Sequence, residues 1–150
     1  MAKPIYVLNG PNLNMLGLRE PAIYGSDTLD DVRKKAEARA KALSLTIDFR
    51  QSNVEGELVS WIQEARDKAA AIILNAGAYS HTSIAILDAI QAAELPVIEV
   101  HLSNIFRRET YRQHSYVSLG AKGVICGLGA KGYELALEAL ADLLAVSRRG

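Results

Sequence analysis

Apolar positions along the 150-residue chain recur at two periods, and the two periods alternate. Short runs rich in β-branched residues have the length and composition of strands: Ile5–Leu8, Leu45–Phe49, Ala71–Leu74, Val97–Val100 and Val124–Cys126. Amphipathic stretches lie between them. Thr28–Leu43 carries Leu29, Val32, Ala36, Ala40 and Leu43 at helical spacing with charges between, and Thr28 with Asp31 forms an N-terminal capping pattern. Ser52 with Glu55 predicts a second capping box, ahead of Leu58, Val59, Ile62 and Ala65. Ser83–Ala93 and Ala130–Val146 read as two further helices. Five strands alternating with helices predict an α/β fold: an open parallel five-stranded sheet, helices on both faces, right-handed crossovers. The length suits one domain over 1–150.

In such sheets ligands bind beyond the carboxyl ends of the strands, near the point where strand order reverses. That rule selects the loops 9–27, 75–82, 101–116 and 127–129. The first is long and chemically dense: Leu8 to Gly25 reads LNGPNLNMLGLREPAIYG. Long loops inside compact domains are usually lids or binding loops. Its Tyr24 is a phenol, and a tyrosine in free solution has a pKa of about 10. Such a group serves as a base only where a cation stabilises the phenolate, and Arg19 in the same loop can supply one.

The second loop reads NAGAYSH, with Asn75 able to donate and accept at a strand end. His81 precedes a helix, where free backbone N–H groups can also meet an anion. A plain helix-capping loop would need a polar residue, but neither this Asn nor this His. The third loop begins EVHLSN, with Glu99 and His101 two residues apart on one side of a strand. A carboxylate beside an imidazole fixes its tautomer and favours the protonated ring, which suits a general acid near neutral pH. A structural histidine satisfied at the sheet edge is the alternative. Leu102 and Ser103 offer backbone N–H groups, and Ser103 a hydroxyl, to an anion. Further on, Arg108 and Arg112 stand one helical turn apart, and guanidinium forks recognise carboxylate or phosphate. A solvated charged face would look similar. His114 reads as structural or exposed. A tyrosine base, a histidine acid, amide donors and an anion clamp together suggest proton abstraction beside a carbonyl with loss of an oxygen leaving group.

Charge and composition narrow the field. Lys plus Arg and Asp plus Glu each number 17, so bulk charge cannot drive binding to nucleic acid or to an anionic membrane. No apolar run reaches transmembrane length, and the N-terminus lacks the apolar core of a signal peptide. One cysteine, Cys126, allows no intrachain disulfide, and with three histidines it argues against a structural zinc site. The cytoplasm is the expected compartment. GLGAKG, Gly127 to Gly132, matches a dinucleotide-binding fingerprint. No second strand follows to carry the ribose-binding acid, and a tight turn with close helix packing explains the glycines. From Ala76 to Ala93 the only formally charged residue is Asp88. A helix so apolar is buried or covered by another subunit, which predicts a homo-oligomer with Asp88 at or near the interface.

The motifs LNGPNLNMLGLREPAIYG, QSNVEGEL at 51–58, NAGAYSHTSIAILDA at 75–89 and EVHLSNIFRRE at 99–109 together resemble the type II 3-dehydroquinate dehydratases, over nearly the whole chain. The resemblance implies a flavodoxin-like fold, a dodecamer of four trimers, and neither metal nor organic cofactor. It implies dehydration of 3-dehydroquinate to 3-dehydroshikimate in the shikimate pathway, by anti elimination through an enolate without a Schiff base. By position, Tyr24 would take the C2 proton, supported by Arg19, and Asn12 would hold a water on the enolate. His101, oriented by Glu99, would protonate the departing hydroxyl. Asn75, His81, Arg112, Leu102 and Ser103 would bind substrate, Arg108 would be a lid or ring-hydroxyl contact, and Asp88 would reach a neighbour's site. No catalytic position departs from the family pattern. Two rivals share the architecture. A flavin- or phosphate-binding module leaves Tyr24, Arg19 and Glu99 without a role. A phospho-acceptor domain needs acids where this chain has Asn9, Asn12 and Asn75.

Overall fold

The computed structural model describes residues 2–149, with side chains as far as Val146. Met1 and Gly150, the ends of the domain expected over 1–150, lie outside the described residues. Five strands, β1 (Ile5–Asn9), β2 (Ile47–Gln51), β3 (Ala71–Asn75), β4 (Val97–His101) and β5 (Gly123–Cys126), form one sheet in the order β2-β1-β3-β4-β5. Every neighbouring pair is parallel. This is the flavodoxin-like order, with its reversal between β1 and β3.

The helices are α1 (Pro21–Tyr24), α2 (Leu29–Ala42), α3 (Glu55–Lys68), α4 (Ile84–Ala93) and α5 (Lys131–Arg149). Each of β1, β3 and β4 is buried along its whole length. Strands covered on both faces need apolar residues at every position, which is why these read as continuous runs. In β1 the rows separate by parity. Ile5 and Val7 enter the core under α2 and α5, and Tyr6 and Leu8 the core under α3 and α4. The edge strand β2 is only half-buried.

Two expectations need correction. The second strand starts at Ile47 rather than Leu45, because the chain is still leaving α2 there. Ser44 sits at φ 60° and the Leu45 N–H bonds the Ala40 carbonyl at 2.8 Å, so the helix end uses that backbone. The Ser52–Glu55 capping box does not form. Val54 is the N-cap of α3, without a side-chain cap, and its N–H donates to Ser52 Oγ at 2.9 Å. The Thr28–Asp31 box does form, with reciprocal bonds of 3.0 and 3.1 Å. Ser83 caps α4 by accepting from the Ile86 N–H.

The glycines of GLGAKG shape the turn into α5. Gly127 and Gly129 have φ of 87° and 59°, and a Cβ on Gly132 would stand 3.2 Å from Val100 Cγ1. On the same edge of the sheet, at its reversal point, Gly10 lets the chain after β1 pass close to the chain after β3. A Cβ there would lie 2.4 Å from the Ala76 carbonyl oxygen, which belongs to backbone and cannot swing aside. Gly10→Ala is expected to cost about 1–3 kcal/mol, read as a lower urea midpoint at unchanged m-value. An unchanged midpoint would show that the two strand ends have slack.

Candidate active site

The loops after β1, β3 and β4 enclose one cleft, lined among others by Asn12, Arg19, Tyr24, Asn75, His81, His101, Leu102, Ser103, Arg108 and Arg112. Its volume of about 160 Å³ is below the ~300–1,000 Å³ of pockets for drug-sized ligands, so it suits a small metabolite. Glu99 stands behind His101, and of the residues singled out from sequence only Asp88 lies apart, exposed on α4.

The first loop is held by secondary structure that its sequence concealed. A 3-10 turn over Leu13–Met15 and the four-residue α1 carry it across the cleft. Asn12 takes φ 69° and its N–H donates to Asn53 Oδ1 at 3.0 Å. Gln51 Nε2 donates to the Gly10 carbonyl at 3.1 Å, and the Tyr79 hydroxyl to the Asn53 carbonyl at 2.7 Å. The QSN segment therefore ties the first loop to the second. Tyr24 ends α1, and two guanidiniums face its ring: Arg19 at 4.9 Å and Arg108 at 5.1 Å from the centroid. A phenolate formed there would have two positive charges close to its ring.

Glu99 and His101 leave β4 on the same side, and His101 Nε2 stands 2.5 Å from Glu99 Oε2. A carboxylate can only accept, so that ring nitrogen carries the proton. Ser115 Oγ donates to the same carboxylate oxygen at 2.7 Å, and Ser118 Oγ donates to the other. Complete burial alone would push the Glu99 carboxyl up. The imidazole and the two hydroxyls outweigh that and hold it below the ordinary carboxylate range. Both serines escaped the sequence reading. Nothing but their place in the loop after β4 distinguishes them from ordinary loop polar residues.

His81 is fixed by a reciprocal exchange with His114. His81 Nδ1 donates to the His114 carbonyl at 2.7 Å, and His114 Nε2 to the His81 carbonyl at 2.9 Å. His114 is thus structural, as expected. Burial pushes the His81 imidazole down, with the nearby His101 and Arg112 acting in the same direction, which keeps Nε2 an acceptor. Arg108 and Arg112 come together by a different route from the one expected. Arg108 has extended backbone after a 3-10 turn and Arg112 ends the next one, so they share no helical face. Loop folding brings both into the cleft. Arg108 Nη1 reaches Ser103 Oγ at 3.3 Å and Arg112 Nε pairs with Glu109 at 3.0 Å.

Among the described residues no helix is long and apolar enough to cross a membrane, and no group of three His, Cys, Asp or Glu side chains is placed to hold a metal ion. Fold and cleft define a flavodoxin-like α/β protein with a small cleft, lined by histidine, tyrosine and arginine side chains, at the reversal of its sheet. A family model described as dehydroquinase class II matches residues 3–141. A 3-dehydroquinate dehydratase of Phenylobacterium zucineum (strain HLK1) is 64% identical over 143 residues, covering 95% of this chain and 99% of that one. One from Brucella canis is 62% identical, covering 95% and 91%. The crystal structure of type II dehydroquinase from Propionibacterium acnes aligns with a TM-score of 0.90 at 48% identity, over 95% of this chain and 98% of that one. This chain belongs to the class II dehydroquinase family.

The buried carboxylate sets a pH dependence. With its folded pKa depressed, Glu99 contributes stability above the ordinary carboxylate range, lost as pH falls through the folded value. Ser118→Ala removes a donor and raises that value. The acid-side fall in Tm is expected to move to higher pH, with about 1.5–3 kcal/mol lost at pH 7. An acid limb identical to wild type would mean that the hydroxyl does not stabilise the carboxylate.

Proposed function

We propose that this protein dehydrates 3-dehydroquinate to 3-dehydroshikimate in the shikimate pathway, by anti elimination of water through an enolate. The observation that supports it best is that one small cleft is lined both by a tyrosine with two guanidiniums near its ring and by a histidine backed by a buried carboxylate. The Tyr24 phenolate takes the C2 proton, and the C2–H electrons move toward the C3 carbonyl to form the enolate. Asn12 holds the water that donates to the enolate oxygen. The carbonyl then re-forms, the C1–C2 double bond closes, and the C1–O bond breaks. His101 gives that oxygen a proton from the ring nitrogen that does not face Glu99, so the leaving group is water. Tyr24 ends protonated and His101 deprotonated, and a net proton transfer between them restores the site.

Substrate is held as an anion. The Leu102 and Ser103 N–H groups and the Ser103 hydroxyl receive its carboxylate, while Asn75, His81, Arg108 and Arg112 take ring oxygens or add positive charge. No step calls for a metal, an organic cofactor or a Schiff base. The same reading gives a cytoplasmic enzyme, in keeping with its unpaired Cys126. It gives an assembly of four trimers in which Asp88 reaches a neighbouring cleft. Support for that comes from α4, where Asp88 is exposed beside an Ile84 that is 56% exposed in the single chain.

Absorbance of the conjugated enone is expected to grow when 3-dehydroquinate meets the protein, unaffected by borohydride; a folded, inactive protein would overturn the proposal. Tyr24→Phe is expected to lower kcat by at least about 10²–10⁴-fold while substrate still binds. Near-normal turnover would remove Tyr24 as the base. Weakening the α4 interface is expected to lower activity, and a fully active isolated monomer would exclude a role for Asp88 in a neighbour's site.

A further inference from the structure

Beneath the cleft, on the α5 side of the sheet, runs a buried chain of hydrogen bonds that the reaction does not itself use. Asn9 and Asn75 end β1 and β3, directly opposite each other in the parallel register. They continue the rows Ile5–Val7 and Ala71–Ile73, which face α5. Tyr133, in the first turn of α5 and 1% exposed, reaches both. Its hydroxyl donates to Asn9 Oδ1 at 2.6 Å and accepts from Asn75 Nδ2 at 2.9 Å. At the far ends, Asn9 Nδ2 donates to the Arg50 carbonyl at 2.9 Å, and Asn75 Oδ1 accepts from the Gly77 N–H at 3.2 Å.

The chain has only one consistent direction. It begins at a backbone carbonyl, which can only accept, and ends at a backbone N–H, which can only donate. Each amide is therefore oriented from outside itself. Turning Asn75 over would set its NH₂ against the Gly77 N–H and its oxygen against a hydroxyl already committed to Asn9. Both bonds would be lost at an Asn75 that is 3% exposed. Burial also pushes the Tyr133 phenol up, so the hydroxyl stays protonated and keeps both bonds. One Nδ2 hydrogen and one Oδ1 lone pair of Asn75 remain for the cleft that Asn75 lines.

We infer that Tyr133 is a positioning residue for the reaction: its buried hydroxyl, anchored through Asn9 to the Arg50 carbonyl, sets which face of the Asn75 amide meets the substrate. This rests on the proposed dehydratase reading, in which Asn75 binds a ring oxygen. Asn75 holds the same group through the reaction, so Tyr133 acts on uniform binding, through KM rather than kcat.

The experiment is a double-mutant cycle in the assembled protein, with kcat and KM for 3-dehydroquinate measured for wild type, Tyr133→Phe, Asn75→Ala and the pair. Tyr133→Phe is expected to raise KM roughly 5–30-fold, as losing one or two kcal/mol would, with kcat within roughly threefold. In the Asn75→Ala background the same change is expected to leave KM unmoved while still lowering Tm. A lower Tm with unchanged KM overturns the inference, because the tyrosine is then only a packing group. An equal KM rise with and without Asn75 overturns it too. If Tyr133→Phe does not fold, Asn9→Ala carries the same test, since Asn9 does not line the cleft. The same KM rise is expected, and its absence counts against the inference. Hydrogen exchange of the peptide over 75–81, without substrate, separates this from the functional reading. Faster exchange in Tyr133→Phe with an inactive wild type would leave the positioning chain standing and the dehydratase reading fallen. Unchanged exchange would remove the chain itself.

Discussion

Parallel pairing of β1 with β3 sets Asn9 beside Asn75 at the carboxyl edge of the sheet, and from that pair the chain leaves to opposite faces. The loop after β1 leads to α2 on one side, and the loop after β3 to α4 on the other. A gap between diverging loops is a geometric consequence of the reversal, and the cleft occupies it. Gly10 makes the floor of the gap tight, because only a residue without Cβ lets its backbone pass so near the Ala76 carbonyl. The third wall comes from the loop after β4, the next strand along. Register then does the rest: the strands end at nearly one level, so the loops that leave them open onto a common space.

Charge is distributed unequally around that space. Glu99 is buried completely, a state that would cost several kcal/mol without partners. An imidazole and two serine hydroxyls offset the cost and tie β4 to the segment around residues 115–118. Arg19, Arg108 and Arg112, by contrast, have only exposed Glu20 and Glu109 as carboxylate neighbours, at 3.8, 3.8 and 3.0 Å. The cleft therefore holds an excess of positive charge above a single buried acid. That balance suits an anionic substrate and, in the proposed reaction, a phenolate that passes its negative charge to an enolate. The rigid layer below, built from Asn9, Tyr133 and Asn75, supplies orientation without adding charge.

Particular residues show what was legible beforehand. Glu99 and His101 were readable as a pair because a strand places i and i+2 on one side. Tyr24 and Arg19 were readable because a titratable phenol and a cation stood in one overlong loop. Arg108 and Arg112 were found for a reason the structure does not support: they meet through two successive 3-10 turns, not a helical face. Ser52 and Glu55 fit a capping template, yet Ser52 closes a tighter turn onto Val54. Ser115, Ser118 and Tyr133 gave no signal, since their partners lie 16, 19 and 124 or 58 residues away. Local patterns report local partners, and these partners exist only once the sheet has formed.

From the sequence by itself came the alternation of strands and helices, the parallel sheet covered on both faces, and the loops at its carboxyl end. Those features depend on hydrophobic period and turn chemistry, which act over a few residues. Family motifs added the roles expected of the loop residues. Tertiary structure alone decided how loops separated by tens of residues close on one another: which guanidiniums face Tyr24, which hydroxyls hold Glu99, and which way the Asn75 amide points. Those outcomes follow from strand order and register, and from the requirement that every buried polar group find a partner.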